Sequence, residues 1–170
     1  MTRRLPTVGI LGGGQLARML ALAAAPLGIR AVALDPVADA CAGQVTELVV
    51  AGWDDDAALA ALAGRVDAVT FDFENVPATT AGQLAGQVAV HPNPGALAIA
   101  QDRMAEKTLF RESGLSTPEF AAVDTLDDLR AAVDAIGLPA ILKTRRLGYD
   151  GKGQFRLKTP ADLDAAWSAL

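Results

Sequence analysis

The chain has one cysteine, Cys41, and one histidine, His91. A single thiol excludes an internal disulfide and makes a reducing compartment the natural setting. Flanked by alanines, it reads as a small core residue rather than a nucleophile. A single histidine between an apolar strand and a proline makes no metal site and reads as structural. Aromatics make up only 5% of the residues while alanine and leucine dominate the apolar half, which suits helices packed on a sheet better than a β-sandwich. Basic residues are outnumbered by acidic ones, and the net charge of −5 with a pI near 4.8 argues against a general nucleic-acid binder, without excluding small phosphorylated ligands. No stretch approaches the roughly 18 uncharged apolar residues of a membrane span. The opening Met1 to Pro6 is not expected to start an export signal, because Gly12-Gly-Gly-Gln15 and Arg18 interrupt any apolar core. The expectation is a soluble, cytoplasmic protein with neither a nucleic-acid nor a membrane partner.

Against that background, residues 142–154 stand out. The apolar run from Pro139 reads as a short buried strand ending on Lys143, and a loop with glycines at 148, 151 and 153 follows it. Glycine permits the positive φ angles that turn successive N–H groups toward one anion, and its missing Cβ leaves room for phosphate oxygens. Lys143, Arg145, Arg146 and Lys152 reverse the sign of an otherwise acidic chain and point to an anionic ligand. A solvated hairpin loop fits the same composition. The spacing is not that of a Walker loop.

At the front, Thr7 to Leu11 reads as a strand, Gly12-Gly-Gly as the turn into a helix, and Leu16, Met19, Leu20, Ala23 and Leu27 as its buried face. Pro26 and Gly28 close that helix, and residues 30–35 form the next strand. A strand over 46–50, a helix from the Asp54-Asp-Asp56 run to Ala63 and a strand over 67–72 continue an alternating α/β pattern with a parallel sheet. The three acids read as helix capping rather than a metal site, because neighbouring helical positions face different ways. Gly12, Gly14 and Ala17 with Asp35 also satisfy a dinucleotide-binding fingerprint, which keeps a nicotinamide-binding module open as a second reading. Glu74 and Asn75 fall at the carboxyl end of a strand, where open parallel sheets bind ligands, although an Asx-turn and helix cap fit equally.

Val88 to Pro94 reads as a last strand and exit loop, 95–100 and 102–113 as helices stopped by Gly114. The pattern then restarts. Strands are expected at Phe120 to Val123, Ala140 to Lys143 and Gln154 to Leu157, a helix from Asp127 to Ile136, and a final helix capped at Thr159.

The string Gly148-Tyr-Asp-Gly-Lys-Gly-Gln154 after a strand ending in lysine resembles the small nucleotide-binding lobe of the ATP-grasp ligases. With Gly12-Gly-Gly-Gln-Leu-Ala-Arg-Met19, Phe71-Asp-Phe-Glu-Asn-Val76 and the connector Gln101-Asp-Arg-Met-Ala-Glu-Lys107, it is most similar to the 5-(carboxyamino)imidazole ribonucleotide synthases. The resemblance covers essentially all 170 residues and implies an α/β chain with three parts. Residues 1–100 would be a Rossmann-like pre-ATP-grasp substrate domain, 101–116 a helical connector, and 117–170 the ATP-grasp small lobe, truncated before its partner lobe.

The implied reaction is ATP-dependent carboxylation of aminoimidazole ribonucleotide with bicarbonate, giving the carboxyamino product, ADP and phosphate, in purine biosynthesis. Arg103, Lys143 and the loop Gly148, Tyr149, Asp150, Gly151, Lys152, Gly153 and Gln154 would bind ATP. Gly14, Gln15, Leu16, Asp35, Glu74 and Asn75, with Tyr149 and Lys152, would bind the acceptor ribonucleotide. Magnesium is implied as a cofactor, with its ligands expected beyond this stretch of the family, and a homodimer is implied for the full-length enzyme. This polypeptide by itself is expected to lack ligase activity. A glycinamide ribonucleotide enzyme or a biotin carboxylase is the nearest competitor among ligases, and Glu74-Asn-Val with Tyr149-Asp-Gly-Lys disfavours both.

Overall fold

Five short apolar segments pair side by side because parallel strands, buried on both faces, carry few polar side chains. In a computed structural model that describes residues 4–170, they are β1 (Thr7–Leu11), β2 (Arg30–Asp35), β3 (Glu47–Val50), β4 (Ala68–Phe71) and β5 (Ala89–Val90). The Met1-Thr2-Arg3 start of the export-signal reading lies outside the described residues. The sheet order is β3-β2-β1-β4-β5, all parallel, with Ile10 opposite both Ala33 and Thr70. Helices α1 (Gln15–Ala24), α2 (Asp56–Ala63), α3 (Ala78–Ala85) and α4 (Pro94–Ala100) accompany the strands.

Alternation along the strands sends neighbours to opposite faces. Leu11, Val32, Leu34 and Val69 join Leu59, Leu62, Ala81 and Leu84 from α2 and α3 in the larger core. Ile10 and Ala33, one position away, meet Ala17 of α1 and Ala42 on the other side. Each fully buried leucine adds about 1.5–3 kcal/mol over its exposed state. Asp55, within the acidic run, is the N-cap of α2 and accepts from the Ala58 N–H at 3.0 Å, so capping is its use here.

The buried face of α1 differs from the periodicity reading. Ala17 and Ala21 are buried, whereas Leu16, Met19, Leu20 and Leu27 are 56%, 54%, 44% and 75% exposed. The helix meets the sheet through a small side chain: Ala17 packs with Ile10 and Ala33 of the strands and with Ala42. Hydrophobic periodicity ranks residues by apolarity, while close approach selects them by volume.

The chain divides into two compact units, one ending at Ala98 and one running from Ile99 to Leu170. The second holds α5 (Arg103–Glu112), α6 (Leu126–Ile136), α7 (Leu163–Ala169) and an antiparallel pair, β6 (Ala140–Lys143) with β7 (Gln154–Leu157). Its core is Leu129, Leu157, Leu163 and Ala166, with Leu142 and Phe155 packed against it. Thr125 caps α6 by accepting from the Asp128 N–H at 3.1 Å, and Thr159 with Asp162 forms a capping box ahead of α7.

Two expectations need correction here. Residues 120–123 form no regular element and pair with no strand among the described residues. Of these residues Val123 packs against the core of Leu129, Leu157, Leu163 and Ala166, so its apolar character reports burial rather than a sheet ladder. Nor is β6 buried on both faces, because Ile141 is 50% exposed while Leu142 faces the core.

Candidate functional site

In the front unit, strand order reverses at β1, whose neighbours β2 and β4 lie on opposite sides. Open α/β sheets form their binding crevice at the carboxyl ends of strands at such a point. Two segments meet there, the Gly12-Gly-Gly turn after β1 and residues 72–75 after β4.

Two carboxylates grip the turn. The Gly13 N–H donates to Asp35 Oδ2 at 2.7 Å, and the Gly14 N–H donates to Asp72 Oδ2 at 3.0 Å. Asp35 Oδ1 accepts from the Val37 N–H at 2.8 Å, so this acid turns back onto its own loop and onto the glycine turn. Asp72 is 9% exposed, and its Oδ1 is buried with no hydrogen-bond partner among the described residues. Burial pushes its carboxyl above the ordinary carboxylate value, the N–H groups of Gly14 and Ala17 pull it back, and the Asp35 charge adds to the rise. Gly12 sits at φ +101°, and a Cβ there would overlap Asp72 Oδ1 and come within 2.5 Å of its Cγ. Glycine is therefore required at position 12 both by backbone conformation and by the space that Asp72 fills.

Of the residues expected here, Gln15 and Leu16 are exposed on the first turn of α1, with Gln15 Oε1 3.8 Å from the Cys41 thiol. Glu74, exposed, and Asn75, half-buried, lie in the turn between β4 and α3, anchored by the fully buried Val76. His91 follows β5, and its N–H donates to the Val69 carbonyl at 2.9 Å. Asp72 was not singled out from sequence. The available signal was an acid ending an apolar strand beside the more conspicuous Glu74-Asn75 pair.

In the second unit, β6 delivers Lys143, exposed, to the start of the glycine loop, and Gln154 pairs opposite it on β7. The Thr144 N–H donates to the Gly153 carbonyl at 2.8 Å and closes the neck. At the tip, the Lys152 N–H donates to the Tyr149 carbonyl at 2.8 Å, while Lys152 Nζ lies 3.1 Å from the Tyr149 hydroxyl and 4.7 Å from its ring centre. Positive φ occurs at Gly151 and Gly153, as the glycine argument requires, but also at Leu147 and Asp150. Gly148 has a different reason to be glycine: a Cβ would meet Thr144 Oγ1 at 2.9 Å and Arg103 Nη2 at 3.0 Å.

Arg103 is not a freestanding cation. Its Nε donates to the Thr144 carbonyl at 3.1 Å and its Nη2 to the Gly148 carbonyl at 2.7 Å. The neighbouring Asp102, 7% exposed, takes both bonds from Arg145 Nε, at 2.8 and 2.9 Å. Arg145 holds the Asp102 carboxyl down to about 2. Asp102 and Arg145 were missed as a pair because 43 positions separate them.

Beside the loop lies a cleft of about 900 Å³, lined by Arg103, Lys107, Phe120, Ala122, Leu142 and Lys143 among others. Its walls are largely apolar and carry the cations Arg103, Lys107 and Lys143 beside the acids Glu119 and Asp124, a chemistry compatible with a flat heterocycle bearing an anionic tail. Among the described residues no group of three or more His, Cys, Asp or Glu side chains could hold a metal ion. No described helix is long and apolar enough to cross a membrane.

Residues 5–101 match the family model described as the ribonucleotide synthetase preATP-grasp domain, and residues 108–170 match that of the ATP-grasp domain. The N5-carboxyaminoimidazole ribonucleotide synthase of Pseudomonas aeruginosa is 53% identical over 96% of this chain, which spans 45% of that protein. The crystal structure of the corresponding synthetase from Thermus thermophilus is 48% identical with a TM-score of 0.87, covering 96% of this chain and 44% of that one. The Aspergillus clavatus N5-carboxyaminoimidazole synthase, solved in complex with ADP and 5-aminoimidazole ribonucleotide, is 29% identical with a TM-score of 0.85, covering 98% and 44%. The chain thus spans under half the length of the relatives it matches. With its parallel sheet, its glycine turn at the strand-order reversal and a second glycine loop after Lys143, the chain belongs to the ribonucleotide synthetase preATP-grasp family, followed by ATP-grasp sequence.

Proposed function

We propose that this chain supplies the acceptor-substrate site and the nucleotide-phosphate loop of an ATP-dependent ligase. That ligase carboxylates 5-aminoimidazole ribonucleotide with bicarbonate, yielding ADP, phosphate and the N5-carboxyamino product, in cytoplasmic purine synthesis and as a homodimer at full length. Residues 1–100 serve as the acceptor domain, 101–116 as connector and 117–170 as nucleotide lobe. The observation that carries the nucleotide half is the cleft of about 900 Å³ whose lining includes Lys143 and Arg103. Lys143 and the N–H groups of Gly148 to Gln154 neutralise and orient the phosphates, because phosphoryl transfer depends on positioning and charge cancellation rather than on covalent chemistry by the protein. Tyr149 and Lys152 reach the acceptor's phosphate end.

The front turn takes the acceptor's donor groups. The N–H groups of Gly13 and Gly14 are already spent on Asp35 and Asp72, so neither is one of the free donors that a dinucleotide site presents to a pyrophosphate. Glu74 and Asn75 accept from the exocyclic amine or a ribose hydroxyl. This arrangement speaks against the nicotinamide reading, because two carboxylates repel a pyrophosphate. The Aspergillus clavatus relative, bound to ADP and to this ribonucleotide, supports the same substrate pair.

Calorimetric titration of the chain with aminoimidazole ribonucleotide, ATP and NADH tests the reading. The first two bind and NADH does not. Lys143→Ala weakens ATP about 10-fold or more, the worth of a charged hydrogen bond, and leaves the ribonucleotide unaffected. NADH binding that displaces the ribonucleotide refutes the assignment.

A further inference from the structure

Four cations crowd into the ten positions from 143 to 152, and a loop so charged tends to open by self-repulsion. In the second unit that tendency is opposed from the start of α5. The Arg103 N–H donates to the Arg145 carbonyl at 3.1 Å, and the Arg103 guanidinium spans the carbonyls of Thr144 and Gly148. Asp102 receives Arg145 through both carboxylate oxygens, and Arg146 Nη2 lies 3.6 Å from Oδ2. The same carboxylate accepts from the N–H groups of Met104 and Ala105, so it is fixed to the helix end before it meets the loop. One nearly buried acid thus balances two of the loop's cations and ties them to a rigid element.

We infer that Asp102 is a positioning residue for the glycine loop. It pins residues 144–148 through Arg145, while Arg103 holds the loop's carbonyls, and the tip at 149–153 is left to close over phosphate. The inference rests on reading the loop as the phosphate-binding element. Asp102 acts without touching the nucleotide. Its contribution is to meet, before binding, part of the ordering cost that an open loop would meet only on binding.

The substitutions that separate this role from simple capping are Asp102→Asn, which keeps an N-cap acceptor but loses the charge, and Arg145→Gln, which leaves the cap untouched. Hydrogen exchange of amides 144–153, read by mass spectrometry, and ATP affinity are measured on wild type, both single variants and the double. Each single variant is expected to speed loop exchange about 10-fold and to raise the Kd for ATP by a similar factor, as loss of one charge-assisted pair implies. The melting temperature of the second unit should hold, and the double variant should be no worse than the stronger single, because both remove one interaction. Unchanged loop exchange in Asp102→Asn, or two effects that add, overturns the inference. ATP that fails to bind wild type while exchange still responds refutes the phosphate reading and leaves the clasp standing.

Discussion

Adding one methyl group at Gly12 probes the front site most directly. Gly12 lies at φ +101°, where a non-glycine residue carries about 1–3 kcal/mol of backbone strain. The new Cβ would overlap Asp72 Oδ1, so the carboxylate must rotate away and release the Gly14 N–H, a charged hydrogen bond worth about 1.5–3 kcal/mol. Together these come to about 2.5–6 kcal/mol, a large share of the roughly 5–15 kcal/mol that holds a domain folded. At about 4–8 °C per kcal/mol for a domain of this size, Gly12→Ala should lower the melting temperature of the front unit by more than about 10 °C. The two units need not melt together, so the assay is the fluorescence of Trp53, which packs against the front core, in a Trp167→Phe background. Asp72→Ala removes the obstruction, so Gly12→Ala with Asp72→Ala should lose less than the sum of the single losses, by at least about 1 kcal/mol. A Gly12→Ala protein melting within about 3 °C of its parent, or strict additivity, would refute the argument.

The exposed face of α1 predicts that Leu16→Lys and Leu20→Lys change stability by no more than about 0.5 kcal/mol, whereas Ala17→Leu or Ala21→Leu costs about 1–3 kcal/mol, read from urea midpoints. Asp72 has its folded-state pKa raised by burial, so its charge opposes folding above that pKa and the penalty fades as pH falls through it. Asp72→Asn, which keeps an acceptor for Gly14, should therefore stabilise the front unit at pH 7, with the gain shrinking toward pH 4; urea titrations showing a gain that grows on acidification would contradict this. Asp102 behaves oppositely. Its carboxyl is held at about 2, so the clasp should be constant from about pH 5 to 9 and fail only in strong acid, as followed by loop exchange. Leu59→Ala, at a side chain with no exposure, should cost about 2.7–5 kcal/mol by chemical denaturation.

Much of the architecture was legible because it is written in local patterns. The strand at 7–11, the glycine turn, the strand at 30–35 and the hairpin strands at 140–143 and 154–157 follow from apolar runs bounded by turn residues, and they lie where those runs end. The Asp54–Asp56 run and Thr159 announced their helices through capping chemistry, which is short-range, whereas the Thr125 cap of α6 emerges only in the structure. The α1 face differs for a physical reason: Leu16, Met19 and Leu20 have the right period, but the buried side chains are Ala17 and Ala21, and Ala17 packs with Ile10 and Ala33, a contact that apolar period alone does not predict. Residues 120–123 look like a strand by composition, yet strand identity needs a partner, and a partner is not a local property.

Sequence alone determined which residues could bind anions, which could turn, and which family's pattern they follow, since glycine, lysine and carboxylate chemistry are properties of single residues and short strings. Tertiary structure decided how those residues are spent. Pairing β4 beside β1 brings Asp72 under Gly12, and docking the start of α5 on the loop turns Asp102 and Arg103 into its clasp. Each of those contacts joins residues more than 40 positions apart, and whether two such residues meet depends on packing that no window of sequence contains.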